Sequence, residues 1–134
     1  MDLALFREDT EKQKGGAPVY IGDATFYLRR WGTPESQRVL KDLRRSLFGP
    51  HHKSQESDES LLLAHWLADY GCVSWEGVES DGGDLKYSAK AARGVFLNEE
   101  YFLSLNVELF LNAQKFENYL YDEATEEVEE LKKP

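Results

Sequence analysis

Ala17-Pro18-Val19-Tyr20-Ile21, Gly22-Asp23 and Ala24-Thr25-Phe26-Tyr27-Leu28 set two β-branched and aromatic runs on either side of a turn pair. Runs of this kind predict a hairpin, and Gly before Asp suits a type II′ turn. A lone two-stranded ribbon is marginal in water, so the hairpin must lie against helices or a neighbouring subunit. Downstream, Thr33-Pro34-Glu35 is a helix start: a hydroxyl cap, proline at the first helical position and an acid in the first turn. That helix is predicted to run to about Phe48, where Gly49-Pro50 stops it. Val39, Leu40, Leu43 and Leu47 form its apolar stripe, with Arg38, Lys41 and Arg45 on another side.

Residues 7–16 are polar and end in Gly15-Gly16, so 1–16 are expected to be a flexible lead-in. Residues 49–57 have no periodicity and form a loop. A second helix capped by Ser57 or Asp58 places Leu63, Trp66, Leu67 and Tyr70 on one face and closes near Gly71. A short extended piece, 73–78, and a tight turn, 80–84, precede a third, short helix capped by Ser88. Asn98 caps a last helix expected to run to about Leu131. Phe102, Leu105, Leu109, Phe116 and Leu120 are its stripe, and Leu103, Val107 and Phe110 widen it beyond the needs of a surface helix. The fold class expected is mainly α: a small helical domain with an N-terminal hairpin and a long C-terminal helix. Its parts are the lead-in 1–16, a domain at 17–120 and an acidic helical end at 121–134.

The chain of 134 residues has the length of one domain, and 41% hydrophobic residues supply a core. Its net charge of -9 opposes non-specific binding to nucleic acid or to an anionic membrane. The charge is divided. Residues 1–50 carry nine basic and seven acidic side chains, a net of +2; residues 51–134 carry seven and eighteen, a net of -11. Such a split fits head-to-tail association, with Arg38, Lys41 and Arg45 meeting Glu126, Glu127 and Glu130. No apolar run approaches the roughly 18–20 residues of a membrane span, and the N-terminus lacks the pattern of a secretory signal. A single cysteine, Cys72, leaves no intramolecular disulfide and suits a reducing cytoplasm.

Catalytic patterns are thin. His51 and His52 are adjacent, without a cysteine partner or helical spacing for a metal. A calcium loop starting at Asp81 would need Glu where Ala92 stands. Neither a phosphate-cradling glycine loop nor a nucleophile elbow is present. The expectation is therefore no enzyme, no cofactor and no metal. Trp31, among Arg29, Arg30 and Gly32 at the mouth of a helix, is the interface candidate, because tryptophan and arginine anchor protein contacts.

Two stretches point to a family. One is Gly-Gly-Ala-Pro-Val-Tyr-Ile-Gly-Asp-Ala-Thr-Phe-Tyr-Leu-Arg-Arg-Trp-Gly-Thr-Pro-Glu at 15–35, followed by a basic helix. The other is Trp75-Glu76-Gly77-Val78, Asp81-Gly82-Gly83, Tyr87-Ser88 and Ala91-Ala92 ahead of the last helix. In order and spacing, over residues 7–120, this resembles the tail assembly chaperones of long-tailed bacteriophages. Loop 49–57 and the acidic end from Asp122 depart from the family pattern. The resemblance implies a self-associating, mainly helical protein of the host cell cytoplasm, absent from the finished virion. Its partners would be copies of itself, the tape measure protein that it keeps soluble, and tail tube subunits. It also implies a longer frameshifted product, which Lys132-Lys133 would suit if encoded by a run of adenines. Two rival functions are a structural head–tail or tail component and an acidic DNA mimic that inhibits a nuclease. Clustered basic residues in the first half argue against the mimic.

Overall fold

The computed structural model describes residues 1–122. The hairpin forms as expected: β1 (Ala17–Ile21) pairs antiparallel with β2 (Ala24–Leu28), Ile21 lying opposite Ala24. Gly22 takes φ 58° in the turn, a left-handed value that a Cβ would penalise. The ribbon is then completed by β3 (Cys72–Glu76), antiparallel to β2, in the order β1-β2-β3. Tyr27 faces Ser74 but Leu28 faces Cys72, so Val73 is an extra residue in the ladder. That bulge has a packing consequence. Cys72 and Trp75 are three positions apart, and strict alternation would send them to opposite faces; here both are buried.

Both ends of the first long helix match the sequence reading. In α2 (Pro34–Phe48) the hydroxyl of Thr33 accepts from the Ser36 N–H at 3.1 Å, and Gly49 ends the helix at φ 71°. A shorter helix, α1 (Thr10–Gly15), precedes the sheet, capped by the buried Asp9. The helix α3 (Glu56–Trp66) starts slightly earlier than expected: Gln55 is the cap, and Asp58 accepts from the Gln55 N–H at 2.7 Å. It continues into a π-type turn, Leu67–Gly71. Leu62, Leu63, Ala64, Trp66, Leu67, Ala68 and Tyr70 are all buried, which makes this the central helix of the fold. On the inner face of the sheet Trp75 of β3 stands edge-on to Phe26 of β2 and to Phe96, at 6.1 and 5.9 Å.

The next turn is a miniature ribbon of β4 (Glu79–Ser80) and β5 (Gly83–Asp84), with Asp81 and Gly82 both at positive φ. Ser88 caps α4 (Ala89–Phe96) by accepting from the Ala91 N–H at 2.9 Å, as expected.

The expected long C-terminal helix is corrected. Asn98 does cap a helix, but only the 3-10 turn Glu99–Tyr101. Ser104 leaves helical geometry, α5 spans Leu105–Gln114, Lys115 is extended, and a second 3-10 turn occupies Phe116–Tyr119. The break is stabilised on both sides. Asn118 donates to the carbonyl of Asn112 at 2.9 Å, beside the Lys115 N–H that also closes the helix end on it. Tyr119 turns inward and is fully buried, which a straight helix would prevent. The chain then pairs with the N-terminal segment: the Asp9 N–H donates to the Tyr119 carbonyl, the Tyr121 N–H to the Arg7 carbonyl, and Lys12 Nζ to the Leu120 carbonyl.

The fold class is corrected with it: a three-stranded antiparallel sheet and a small ribbon packed on helices, rather than helices with a lone hairpin. Residues 1–16, expected as a flexible lead-in, hold regular structure instead, a 3-10 turn at Leu3–Phe6 and α1. Most of the acidic end, 123–134, lies outside the described residues, and with it Glu126, Glu127 and Glu130.

Candidate functional site

Trp31 is held by its own backbone. Its N–H donates to the carbonyl of Ala113, in the last turn of α5, at 3.0 Å. The ring therefore stands between two elements, edge-on to Trp66 from the α3 side and to Phe110 of α5, with both centroids 4.8 Å away. Edge-on aromatic pairs of this kind contribute about 0.5–1.5 kcal/mol each beyond area burial, so the wall is rigid. Trp66 is sealed in the core, whereas Trp31 and Phe110 are only half-buried.

Their outer sides open onto a groove of about 250 Å³ between α3 and α5, whose other apolar walls are Leu63, Phe102, Val107 and Leu111. Leu111 is 48% exposed, and Leu103 nearby in the chain is 83% exposed. Val107 and Leu111 are four residues apart within α5, so they share one side of that helix along the groove. The polar rim is Glu59 and Ser60. The groove thus joins Trp31 and Phe110, two residues singled out separately from the sequence and 79 positions apart. Leu111 escaped that reading, although continuing the spacing of Leu103 and Val107 by four residues finds it.

The remaining candidates are placed elsewhere. Arg29 is internal scaffolding: it donates to the carbonyls of Lys14 and Tyr70 at 2.7 and 3.0 Å and lies 4.6 Å over the Tyr70 ring. Arg30 pairs with Glu8 at 2.9 Å, and that hydrogen-bonded guanidinium holds the Glu8 carboxyl below its usual range. Arg38, Lys41 and Arg45 are exposed on α2. Lys41 and Arg45 border a second cleft, of about 390 Å³, between the end of α2 and the start of α3. In it Arg44 meets Glu59 at 3.3 Å and His52 meets Asp58 at 2.8 Å. The Asp58 carboxyl is lowered by the Gln55 N–H first and by His52 second.

Among the described residues no three His, Cys, Asp or Glu side chains stand together as a metal site, and no helix is long and apolar enough to cross a membrane. Cys72 is buried under the sheet, where burial pushes its thiol up to about 12. A thiol so raised is a poor nucleophile at neutral pH. His65 and Arg93 both meet Asp69 at the surface. The candidate residues thus gather at two openings, an apolar groove lined by aromatics and a charged cleft. No protein-family model, curated protein or solved structure matches this chain.

Proposed function

We propose that this chain is a tail assembly chaperone of a long-tailed bacteriophage. It holds the tape measure protein in solution, helps recruit tail tube subunits, and leaves before the particle is complete. The observation that carries this reading is the groove of Trp31, Leu63, Phe102, Val107, Phe110 and Leu111. Its shape suits the apolar stripe of an amphipathic helix, the recognition mode in which side chains at i, i+3, i+4 and i+7 enter a hydrophobic groove.

Magnitudes favour a reversible clamp. Apolar burial contributes roughly 25 cal/mol per Å², and association itself costs about 4–15 kcal/mol. One groove of this size therefore holds one stretch of helix weakly. Many copies along a long helical client hold it strongly, because every additional copy acts at high effective concentration. Weak single contacts also allow a tube subunit to displace copies one at a time.

Co-expression tests the reading. The tape measure protein is expected in the pellet when expressed alone and in the soluble fraction, bound to this chain, when the two are expressed together. Mass spectrometry of purified virions is expected to find none of the chain. Its presence in finished particles would make it a structural component, and capture of a nuclease in place of the tape measure protein would make it a decoy.

A further inference from the structure

The groove and the charged cleft share a wall. Glu59 belongs to the lining of both. Along α3, Gln55, Asp58 and Glu59 face the cleft, whereas Glu59, Ser60 and Leu63 face the groove. Glu59 and Leu63 lie one turn apart on one side of the helix. An occupant of the groove that reaches past Leu63 toward the start of α3 therefore meets Glu59 first and the cleft next. What stands at Glu59 is its ion pair with Arg44, at 3.3 Å, both side chains exposed. Pairs so exposed contribute little and give way readily to a new partner.

Beyond that pair the cleft offers positive charge. Its two acids are engaged, Glu59 by Arg44 and Asp58 by His52 and the Gln55 N–H. Lys41 and Arg45 have no ion pair among the described residues. They are exposed and four residues apart, so they stand one above the other on α2. Phe48, stacked on His52 with ring centroids 4.7 Å apart, and Pro50 continue apolar contact beside them. The chain as a whole carries a net charge of -9, so an acidic ligand is repelled by the molecule at large and drawn to this patch.

An apolar strip that leads into two stacked cations selects a helix by its charge pattern as well as its stripe. We infer that the helix accepted by the groove is acidic at one end: its apolar stripe lies on Trp31, Leu63 and Phe110, and past Glu59 two carboxylates one turn apart meet Lys41 and Arg45. The inference rests on the docking of an amphipathic helix in the groove proposed above, and adds a direction to it. Reversed, the same helix would place its carboxylates among Phe102, Val107 and Leu111, where they would be desolvated without a partner. A helix with a basic end would meet like charge in the cleft.

Designed peptides free of tryptophan, titrated into the full chain, test this through its fluorescence. Trp66 and Trp75 are buried, so Trp31 is the ring whose surroundings a docked helix changes. Peptides of about eighteen residues, roughly 27 Å of helix, carry leucines at i, i+3, i+4 and i+7 and, beyond them, a test pair four residues apart: glutamates, glutamines or lysines. A second series places the pair ahead of the leucines and covers the opposite orientation. In one series the glutamate peptide is expected to bind about three- to tenfold more tightly than the glutamine peptide at about 0.05 M salt, and the lysine peptide more weakly. The spread should shrink at about 0.5 M salt. Lys41→Glu/Arg45→Glu should reverse the order and leave the glutamine peptide within about twofold of its wild-type affinity. Each peptide's own helix formation is common to both proteins, so the comparison isolates the contact. Glu59→Gln, which releases Arg44, should widen the advantage of glutamate. All three positions are exposed, and an unchanged far-UV spectrum checks the fold. Equal affinities for the three peptides in both series overturn the inference, including the case in which another part of the chain already covers the cleft. So does a preference for glutamate that survives Lys41→Glu/Arg45→Glu. Charge-blind binding that still shifts the emission of Trp31 removes the charge pattern alone and leaves the groove reading standing. If no peptide shifts that emission, the groove reading falls and this inference falls with it.

Discussion

The hydroxyl of Tyr119 donates to the backbone carbonyl of Leu28 at 3.0 Å, 91 positions away in the chain, and the tyrosine is fully buried. This contact ties the last described turn of the chain to the end of the central strand. It is also the reason why α5 stops: a continuous helix would carry Tyr119 away from β2. Burial raises the Tyr119 hydroxyl above its ordinary range, so it remains a donor at physiological pH. Tyr119→Phe removes one buried hydrogen bond and is expected to cost about 1 kcal/mol. Tyr119→Ala also leaves a cavity and is expected to cost about 3–5 kcal/mol. Urea unfolding of the two variants should separate these terms, and a Tyr119→Phe protein as stable as wild type would mean that the hydrogen bond contributes nothing.

A second buried bond joins α2 to α3. The indole N–H of Trp66 donates to the hydroxyl of Ser36 at 2.9 Å, and both residues are 0% exposed. Ser36→Ala strands the indole donor, at about 1–3 kcal/mol. Ser36→Thr keeps a hydroxyl but adds a methyl group to a filled site, so it should be intermediate at best. If Ser36→Ala unfolds at the wild-type urea concentration, the bond contributes nothing.

Gly71 has its own constraint, and it is space rather than dihedral freedom. A Cβ there would lie 2.2 Å from the Trp66 ring. That ring is fully buried and edge-on to Trp31 and Tyr70, so it has nowhere to retreat. Gly71→Ala is expected to destabilise by about 3 kcal/mol, the upper end of overpacking costs. Gly94→Ala is the control: nothing lies within 4 Å of the added carbon and the position is helical, so its effect should be neutral or stabilising.

Legibility in the sequence followed the range of the interaction. The hairpin, the Thr33-Pro34 helix start, the Gly49 stop and the Ser88 cap depend on neighbours within a few residues, and each is where local chemistry put it. The broken last helix was hidden because Leu105, Leu109, Phe116 and Leu120 keep a helical stripe across the break and no proline or glycine interrupts it. What ends it is a competition with distant groups: the Leu28 carbonyl for Tyr119, and the Asp9 N–H for the backbone at 119. For the same reason the wide stripe of the last helix does not mark the centre of the fold: Leu62, Leu63, Ala64 and Trp66 of α3 are buried there, Trp66 with Trp31 edge-on against it. At the groove the two aromatic anchors were visible as Trp31 and Phe110. Their juxtaposition was not, because it rests on one backbone bond from Trp31 to Ala113.

Cys72 gives the fold an alkaline limit. Its thiol is raised from 9.0 to about 12 by burial, partly offset by its hydrogen bond to Ser74. A raised acid favours the folded state only where the proton is kept. Below about pH 9 folded and unfolded chains both hold it, and stability does not change with this group. Between about 9 and 12 the unfolded thiol is ionised and the folded one is not, so stability falls by at most about 1.4 kcal/mol per pH unit. Tyr70 and Tyr87 are raised by burial as well and act in the same direction. The urea midpoint is therefore expected to fall above pH 9, less steeply in Cys72→Ala. At pH 8 a thiol reagent should label the native protein at least about a hundredfold more slowly than the protein in urea. Equal labelling rates would place the thiol at the surface and remove the argument.

The groove makes a prediction that separates binding from folding. Leu111 is 48% exposed and touches the groove from its outer wall, whereas Phe110 braces Trp31 from within. Leu111→Asp should leave stability within about 0.5 kcal/mol of wild type, as exposed substitutions do. It should nevertheless abolish solubilisation of the tape measure protein, since a carboxylate in an apolar groove must be desolvated by any helix that enters. Phe110→Ala should lower stability and binding together. Trp31 supplies the direct readout: half-buried at the mouth of the groove, its fluorescence should shift to shorter wavelength when a helix covers it, and should not shift in Leu111→Asp. Normal solubilisation by a folded Leu111→Asp protein would mean that the client binds another surface, and Trp31 and Phe110 would then be ordinary packing between α3 and α5.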